Sequence, residues 1–167
     1  DAGDGNPATS DGIFIFNGGN QNLVQIGDRV AVKGTASENQ GQTQISATDT
    51  NVTLCGTGSV DPTPVTLPMA SANDLEKYEG MHVETTQPLY VTEHFQLGRF
   101  GQVVVSSGGR LQQPTNVLSP GTDGDGNGID DVLDLQAENN LNRLIIDDGS
   151  QAQNPDPILF GRGGNPL

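Results

Sequence analysis

The chain has 167 residues, of which 32% are hydrophobic and 4% aromatic, with 23 Gly, 10 Pro and no Trp. This composition is too lean for one large core and favours two small units of short strands and turns. Twenty-one acidic against seven basic residues give a formal net charge of −14, which repels polyanions and anionic membrane surfaces and attracts divalent cations.

The apolar runs and the single cysteine limit the class of protein further. No apolar run approaches the ~18–20 residues of a membrane-spanning helix and no signal peptide is recognisable, so we expect no membrane partner. Cys55 stands alone, which excludes an intrachain disulfide, and we expect it to be a small buried hydrophobe. Few lysines and abundant Asn, Gly, Thr and Asp favour an extracellular location.

Residues 1–60 predict a small OB-like β unit. Phe14 and Phe16 lie on one face of a short predicted strand, where we expect them to join the core. Val30 and Val32 alternate along a second strand, and Gly41 predicts a turn before the next one. Residues 61–69 are punctuated by proline and predict an extended connector.

Residues 70–167 predict a second β unit. Ser71 and Gly80 bound a predicted short helix, and Val- and Thr-rich segments after it predict strands. Val132, Leu135 and Leu141 have the spacing of one helical face. Together these signals predict a mostly β fold of one or two small OB-like Greek-key barrels with short helices, with a β-sandwich as the alternative.

The segment TDGDGNGIDDVLD, residues 122–134, concentrates acidic side chains before that helix. Its oxygen-bearing residues occupy positions 1, 3, 5, 9 and 12 of a twelve-residue window, and Gly128 at position 6 allows a sharp turn. This spacing predicts a Ca²⁺ site. The predicted ligands are the side chains of Asp123, Asp125, Asn127 and Asp134, the backbone carbonyl of Ile129, and Asp131 directly or through water.

Two departures distinguish this loop from a helix-loop-helix hand: position 12 is Asp134 rather than Glu, and position 8, usually apolar, is Asp130. The loop resembles the short calcium repeats of extracellular modules such as thrombospondin type 3. The alternative is a solvated turn without an ion, which leaves several carboxylates repelling one another at short range. A second, looser metal site is predicted in residues 1–12 through Asp1, Asp4, Asn6 and Asp11, although their spacing fits no twelve-residue hand.

Five segments carry a resemblance to a known family: GDRVAVKGT, YEGMHV, LGRFGQV, LQQPTN and NRLIIDDG. In this order they resemble the non-catalytic, OB-fold-like region of secreted bacterial nucleases of the ExeM/NucH type. The resemblance implies extracellular degradation of DNA or RNA and a metal-dependent endonuclease/exonuclease/phosphatase domain as partner in the same parent protein. The resemblance also implies that the unit of residues 1–60 lacks the first strand of the family pattern, and we expect this chain to be a piece of such an enzyme.

The sequence predicts no catalytic residues of its own. His82 in a predicted strand is expected to be structural and His94 in a turn to be exposed, while Asp147 and Asp148 predict a capped turn rather than a metal pair. A nucleic-acid contact through the residues around LGRFG is the remaining option, and the acidic excess makes such binding weak. The residues proposed for that contact are Arg99, Phe100 and Arg110.

The sequence therefore favours an accessory, calcium-stabilised β module of a secreted bacterial nuclease. One alternative is a stand-alone calcium-dependent binding or adhesion module of an extracellular protein, which tandem copies of this unit in the gene would favour. Another is a catalytically active nuclease fragment, which metal-dependent cleavage of a plasmid would reveal.

Overall fold

The computed structural model describes residues 3–18, 24–150, 152–158 and 160, and these fold into two compact units. The first unit comprises residues up to 65 together with 73–84, and the second comprises residues 66–72 and those from 85 onward. The predicted boundaries differ, because residues 73–84 return to the first unit. Gly12 illustrates this return: the backbone of Gly80 lies so close that a side chain at residue 12 has no room.

The first unit consists of short strands in three small sheets. Its strands are β1 (Phe14–Phe16), β2 (Asp28–Val32), β3 (Thr35–Asn39), β4 (Gln42–Ser46), β5 (Val52–Thr57), β6 (Thr63–Pro64) and β7 (Val83–Glu84). Strand β4 is central in the order β1-β4-β3, parallel to β1 and antiparallel to β3. Strand β2 pairs antiparallel with β5, and β6 pairs parallel with β7.

The β3–β4 hairpin turns at Gln40 and Gly41, where the sequence predicts it. Both residues have positive φ, 54° and 86°, which is the backbone twist that two-residue hairpin loops require. Glycine adopts this conformation without the steric cost that a side chain brings, so Gly41 fixes the register between the two strands.

The second unit has one three-stranded antiparallel sheet with short helices. Its elements are β8 (Leu89–Glu93), α1 (Leu97–Phe100), β9 (Val103–Ser107), α2 (Pro114–Val117), α3 (Asp131–Leu141) and β10 (Leu144–Ile146). Strand β9 lies between β10 and β8, and its Val103 and Val105 are 1% and 2% exposed. Leu67 and Met69 are also buried, and the Met69 amide donates to the Leu141 carbonyl at the end of α3. The core of this unit therefore forms around β9.

The prediction of a mostly β fold with short helices is confirmed. Within the described ranges the strands form four small open sheets and no closed barrel, so the barrel closure expected from an OB-like unit is not observed. The predicted helix between Ser71 and Gly80 is reduced to one 3₁₀ turn, Glu76–Tyr78. Helix α3 forms as predicted, with Val132, Leu135 and Leu141 half-buried. No described helix has the length and apolar character needed to cross a membrane.

Two burial predictions in the first unit are wrong. Phe14 and Phe16 are 43% and 48% exposed, and Cys55 is exposed. The reason is the small size of the sheets: β5, which carries Cys55, pairs with β2 in a sheet of two strands. Strand pairing satisfies backbone groups but does not bury side chains, which requires a second packed layer.

Candidate metal centre

The acidic loop leads directly into helix α3, and Asp130 begins that helix. The Asp130 side chain accepts a hydrogen bond from the Val132 amide at 2.9 Å, which is an N-cap, and it also accepts one from the Gly121 amide. The Asp131 amide donates to the Thr122 carbonyl at 2.9 Å. The two ends of the loop are thereby held together.

Three of the predicted ligands converge in this loop. Asp123, Asp125 and Asp131 each place one carboxylate oxygen within 4.8 Å of the other two. Two oxygens that both lie 2.3–2.6 Å from one calcium ion are at most about 5 Å apart, so this spread fits a shared ion. It is the only such group of three acidic, histidine or cysteine side chains among the described residues.

Backbone amides orient all three of these carboxylates. Asp125 accepts a hydrogen bond from the Asn127 amide at 3.0 Å. Asp123 accepts hydrogen bonds from the amides of Gly126 and Gly128, at 2.8 and 3.0 Å. Asp131 accepts one from the Gly124 amide at 3.0 Å. Gly126 and Gly128 have φ values of 75° and 88°, a left-handed conformation that curls the chain around the carboxylates. The glycines at alternate positions thus bring acidic side chains that are distant along the loop to one point.

Asn127 connects Asp134, the remaining predicted carboxylate ligand, to the group of three carboxylates. Its Nδ2 donates to Asp125 at 3.1 Å and to Asp134 at 2.9 Å, and its Oδ1 accepts from the Ile129 amide at 2.7 Å. The amide therefore lies between two carboxylates and partly offsets their repulsion. Asp134 projects from the first turn of α3, so the helix fixes its distance from the loop.

The donor set suits a hard divalent cation. It consists of carboxylate and amide oxygens without nitrogen or sulfur ligands, which is the chemistry that Ca²⁺ prefers. Asp123 and Asp125 are exposed and Asp131 is half-buried, so an ion could enter from solvent. The sequence did not predict the helix cap of Asp130. The signal was present, because an aspartate immediately before a helical pattern is a common N-cap.

The second predicted metal site lies only partly within the described residues, since Asp1 falls outside them. Asp4 accepts hydrogen bonds from the Asn6 amide at 2.7 Å and from the Thr9 hydroxyl at 3.1 Å. Asp11 accepts one from the Asp4 amide at 3.2 Å. These side chains close local turns, and a metal-binding role for them stays a prediction.

The residues proposed for nucleic-acid contact fall into two places. Arg99 stacks over the ring of Phe100, with 4.9 Å between the guanidinium carbon and the ring centre, and both lie on α1. Arg110 lines a separate polar groove together with Arg143 and Glu93. Neither Arg99 nor Phe100 is among the residues that line this groove, and a nucleic-acid contact through the three residues stays a prediction.

The titratable side chains considered for catalysis occupy surface positions. His82 is exposed, with Nδ1 3.3 Å from the Val60 carbonyl, and His94 is exposed in the turn before α1. Asp147 and Asp148 accept hydrogen bonds from the amides of Gly149 and Ser150, at 2.7 and 2.8 Å. The two aspartates cap a turn, as the sequence predicts.

Comparison with protein-family models, with curated proteins and with solved structures gives no significant match for this chain.

Proposed function

We propose that the chain is a calcium-stabilised accessory β module of a secreted bacterial nuclease. The convergence of the Asp123, Asp125 and Asp131 carboxylates within 4.8 Å carries the calcium part of this proposal. The nuclease part rests on the resemblance of five sequence segments to the non-catalytic region of ExeM/NucH-type enzymes. In this proposal the module supports a metal-dependent catalytic domain that belongs to the same parent protein.

Calcium would be held by the loop and by the first turn of α3. Asp123, Asp125, Asp131 and Asp134 supply carboxylate oxygens, and the Ile129 carbonyl supplies a backbone oxygen. The Asn127 side chain now points its Nδ2 at the carboxylates of Asp125 and Asp134. A rotation of its amide group would place Oδ1 there instead, so that this oxygen also binds the ion. The ion offsets the repulsion among the carboxylates and ties the loop to the helix.

The proposed role of calcium is structural. An ion that binds only the folded chain stabilises it by RT ln(1 + [L]/Kd), about 2.7 kcal/mol at a hundredfold excess over Kd. The free energy of unfolding of a small domain is only about 5–15 kcal/mol, so this contribution is a large share of it. Extracellular calcium reaches the concentrations at which weak sites of this kind fill.

Calcium titration of the chain tests the proposal. Isothermal calorimetry should show one site, and the melting temperature should rise with calcium and fall back on chelation. Asp123→Asn/Asp125→Asn should abolish both effects. Asp147→Asn is a matched control, since this carboxylate is also exposed and closes a turn but lies outside the loop. A melting temperature that does not respond to calcium would overturn the structural role.

The nuclease part needs a separate experiment. A parent protein that carries a downstream phosphodiesterase domain should lose stability or activity when this module is deleted, while the chain alone should not nick a plasmid with Mg²⁺ or Ca²⁺. Metal-dependent nicking by the purified chain would instead support the alternative of a catalytically active fragment.

A further inference from the structure

A polar groove of about 380 Å³ lies in the second unit, on the surface of the sheet and the helices. Its walls come from β8, from the loop after β9, from α2 and from α3. The volume falls in the range of sites for small ligands. None of the acidic loop residues from Asp123 to Asp134 is among the residues that line it.

Three hydrogen bonds hold the groove walls together. The Leu111 amide donates to the Thr92 hydroxyl at 2.9 Å, which ties the loop to β8. The Asn139 side chain donates to the Gln112 carbonyl at 3.0 Å, which ties the loop to α3. Arg143, which follows α3, donates to Glu93 at the end of β8 at 3.1 Å. The groove is therefore shaped before any ligand enters.

The groove is unusual for this chain in its charge. It contains Arg110, Arg143 and a single acidic residue, Glu93, on a chain whose net charge is −14. Arg143 already neutralises Glu93. Among the described residues the Arg110 guanidinium makes no ion pair and no hydrogen bond. Its five N–H donors are available in a planar fork that matches carboxylate and phosphate oxygens.

Uncharged hydrogen-bonding groups surround this arginine. The side-chain amides of Gln112, Gln113 and Asn116 line the groove and form no hydrogen bond with other described residues. Amides both donate and accept hydrogen bonds, so they can bind hydroxyl groups, which do the same. The lining combines one free cation with several hydroxyl-binding groups and has no aromatic side chain.

We propose that this groove binds a small phosphorylated ligand that carries hydroxyl groups, such as a sugar phosphate or a nucleotide. Arg110 binds the phosphate, and the amides of the 112–116 segment bind the hydroxyls. Phosphate suits the site better than carboxylate, since it offers more acceptor oxygens to the arginine fork and the neighbouring amides. This inference goes beyond the calcium role and does not depend on it.

NMR titration of the isotopically labelled 167-residue chain in calcium-free buffer tests the inference. Ribose 5-phosphate should shift amide signals in residues 110–116 and 136–143, whereas neutral ribose should not. Inorganic phosphate should bind at the same place more weakly. Adenosine 5′-monophosphate distinguishes the two ligand classes. If it binds more tightly than ribose 5-phosphate, the ligand is a nucleotide, and if the two bind equally, the ligand is a sugar phosphate.

Substitutions identify the cation. Arg110→Gln should weaken ribose 5-phosphate binding about tenfold or more, because a charge-assisted pair is lost, and Arg110→Lys should give an intermediate affinity. Arg99→Gln is the matched control, since Arg99 is also exposed but stacks on Phe100 outside the groove. Equal affinity of Arg110→Gln and the unsubstituted chain, equal affinity for ribose and its phosphate, or no shifts at millimolar ligand would overturn the inference.

Discussion

Asp130 and Asp131 are adjacent residues whose carboxylates do different work. Asp130 caps α3 through the Val132 amide, whereas Asp131 lies within the acidic group of the loop. Consecutive residues at a helix start point in different directions, since each is rotated by about 100° from the last. The two tasks can therefore be separated by single substitutions.

Asp130→Ala should lower the free energy of unfolding by about 1 kcal/mol with and without calcium, because the helix loses its N-cap. Asp131→Asn should leave the helix capped and weaken calcium binding at least about tenfold, a change of about 1.4 kcal/mol. Urea unfolding and calorimetry measure the two quantities. Were Asp130→Ala to abolish calcium binding while Asp131→Asn did not, the assignment of cap and ligand would be reversed.

At the scale of elements, Asn142 joins the end of α3 to the central strand β9. Its Oδ1 accepts hydrogen bonds from the Ser107 amide at 3.0 Å and the Ser107 hydroxyl at 2.8 Å, and its Nδ2 donates to the Ser107 carbonyl at 3.1 Å. Asn142 and Ser107 are half-buried. This connection links the helix that begins at the acidic loop to the core of its unit.

Asn142→Ala should lower the free energy of unfolding by about 1–3 kcal/mol, since the half-buried backbone amide and carbonyl of Ser107 lose this partner. The Ser107 hydroxyl keeps the Leu67 carbonyl as an acceptor at 3.0 Å. Asn140→Ala provides the control, because Asn140 is an exposed residue of the same helix that accepts one hydrogen bond, from Gln136. That substitution should change stability by no more than about 0.5 kcal/mol. Similar urea midpoints for the two variants would contradict the structural role of Asn142.

The sequence predicts those elements whose signals are local. The Gly41 turn, helix α3 and the convergence of Asp123, Asp125 and Asp131 depend on conformations set within a few residues, and each of them is observed. The burial of Phe14 was predicted wrongly, because exposure depends on which layer covers a strand, and no local pattern encodes that. The groove around Arg110 was not predicted either, since its walls meet through contacts between residues far apart in sequence.

At the scale of the whole molecule, the two units differ in how much apolar surface they bury. The buried hydrophobic residues of the second unit include Leu67 and the valines of β9. In the described part of the first unit, Val65 is the only buried hydrophobic residue. The first unit leaves Phe14, Phe16 and Leu54 43%, 48% and 58% exposed, and the second unit also exposes large apolar side chains such as Phe95. Because buried apolar area is the main favourable term in folding, the second unit should be the more stable one.

Hydrogen exchange followed by mass spectrometry should show this order directly. Amides of β9 should be the slowest to exchange, and those of β2 and β5 should exchange earlier, because their two-stranded sheet has little packed apolar surface. Calcium should slow exchange in residues 122–141 and, through Asn142, in β9, while the first unit should respond little. Equal protection of β5 and β9 would show that the first unit gains stability from a source other than its own core. A calcium effect confined to the first unit would contradict the placement of the ion in the acidic loop.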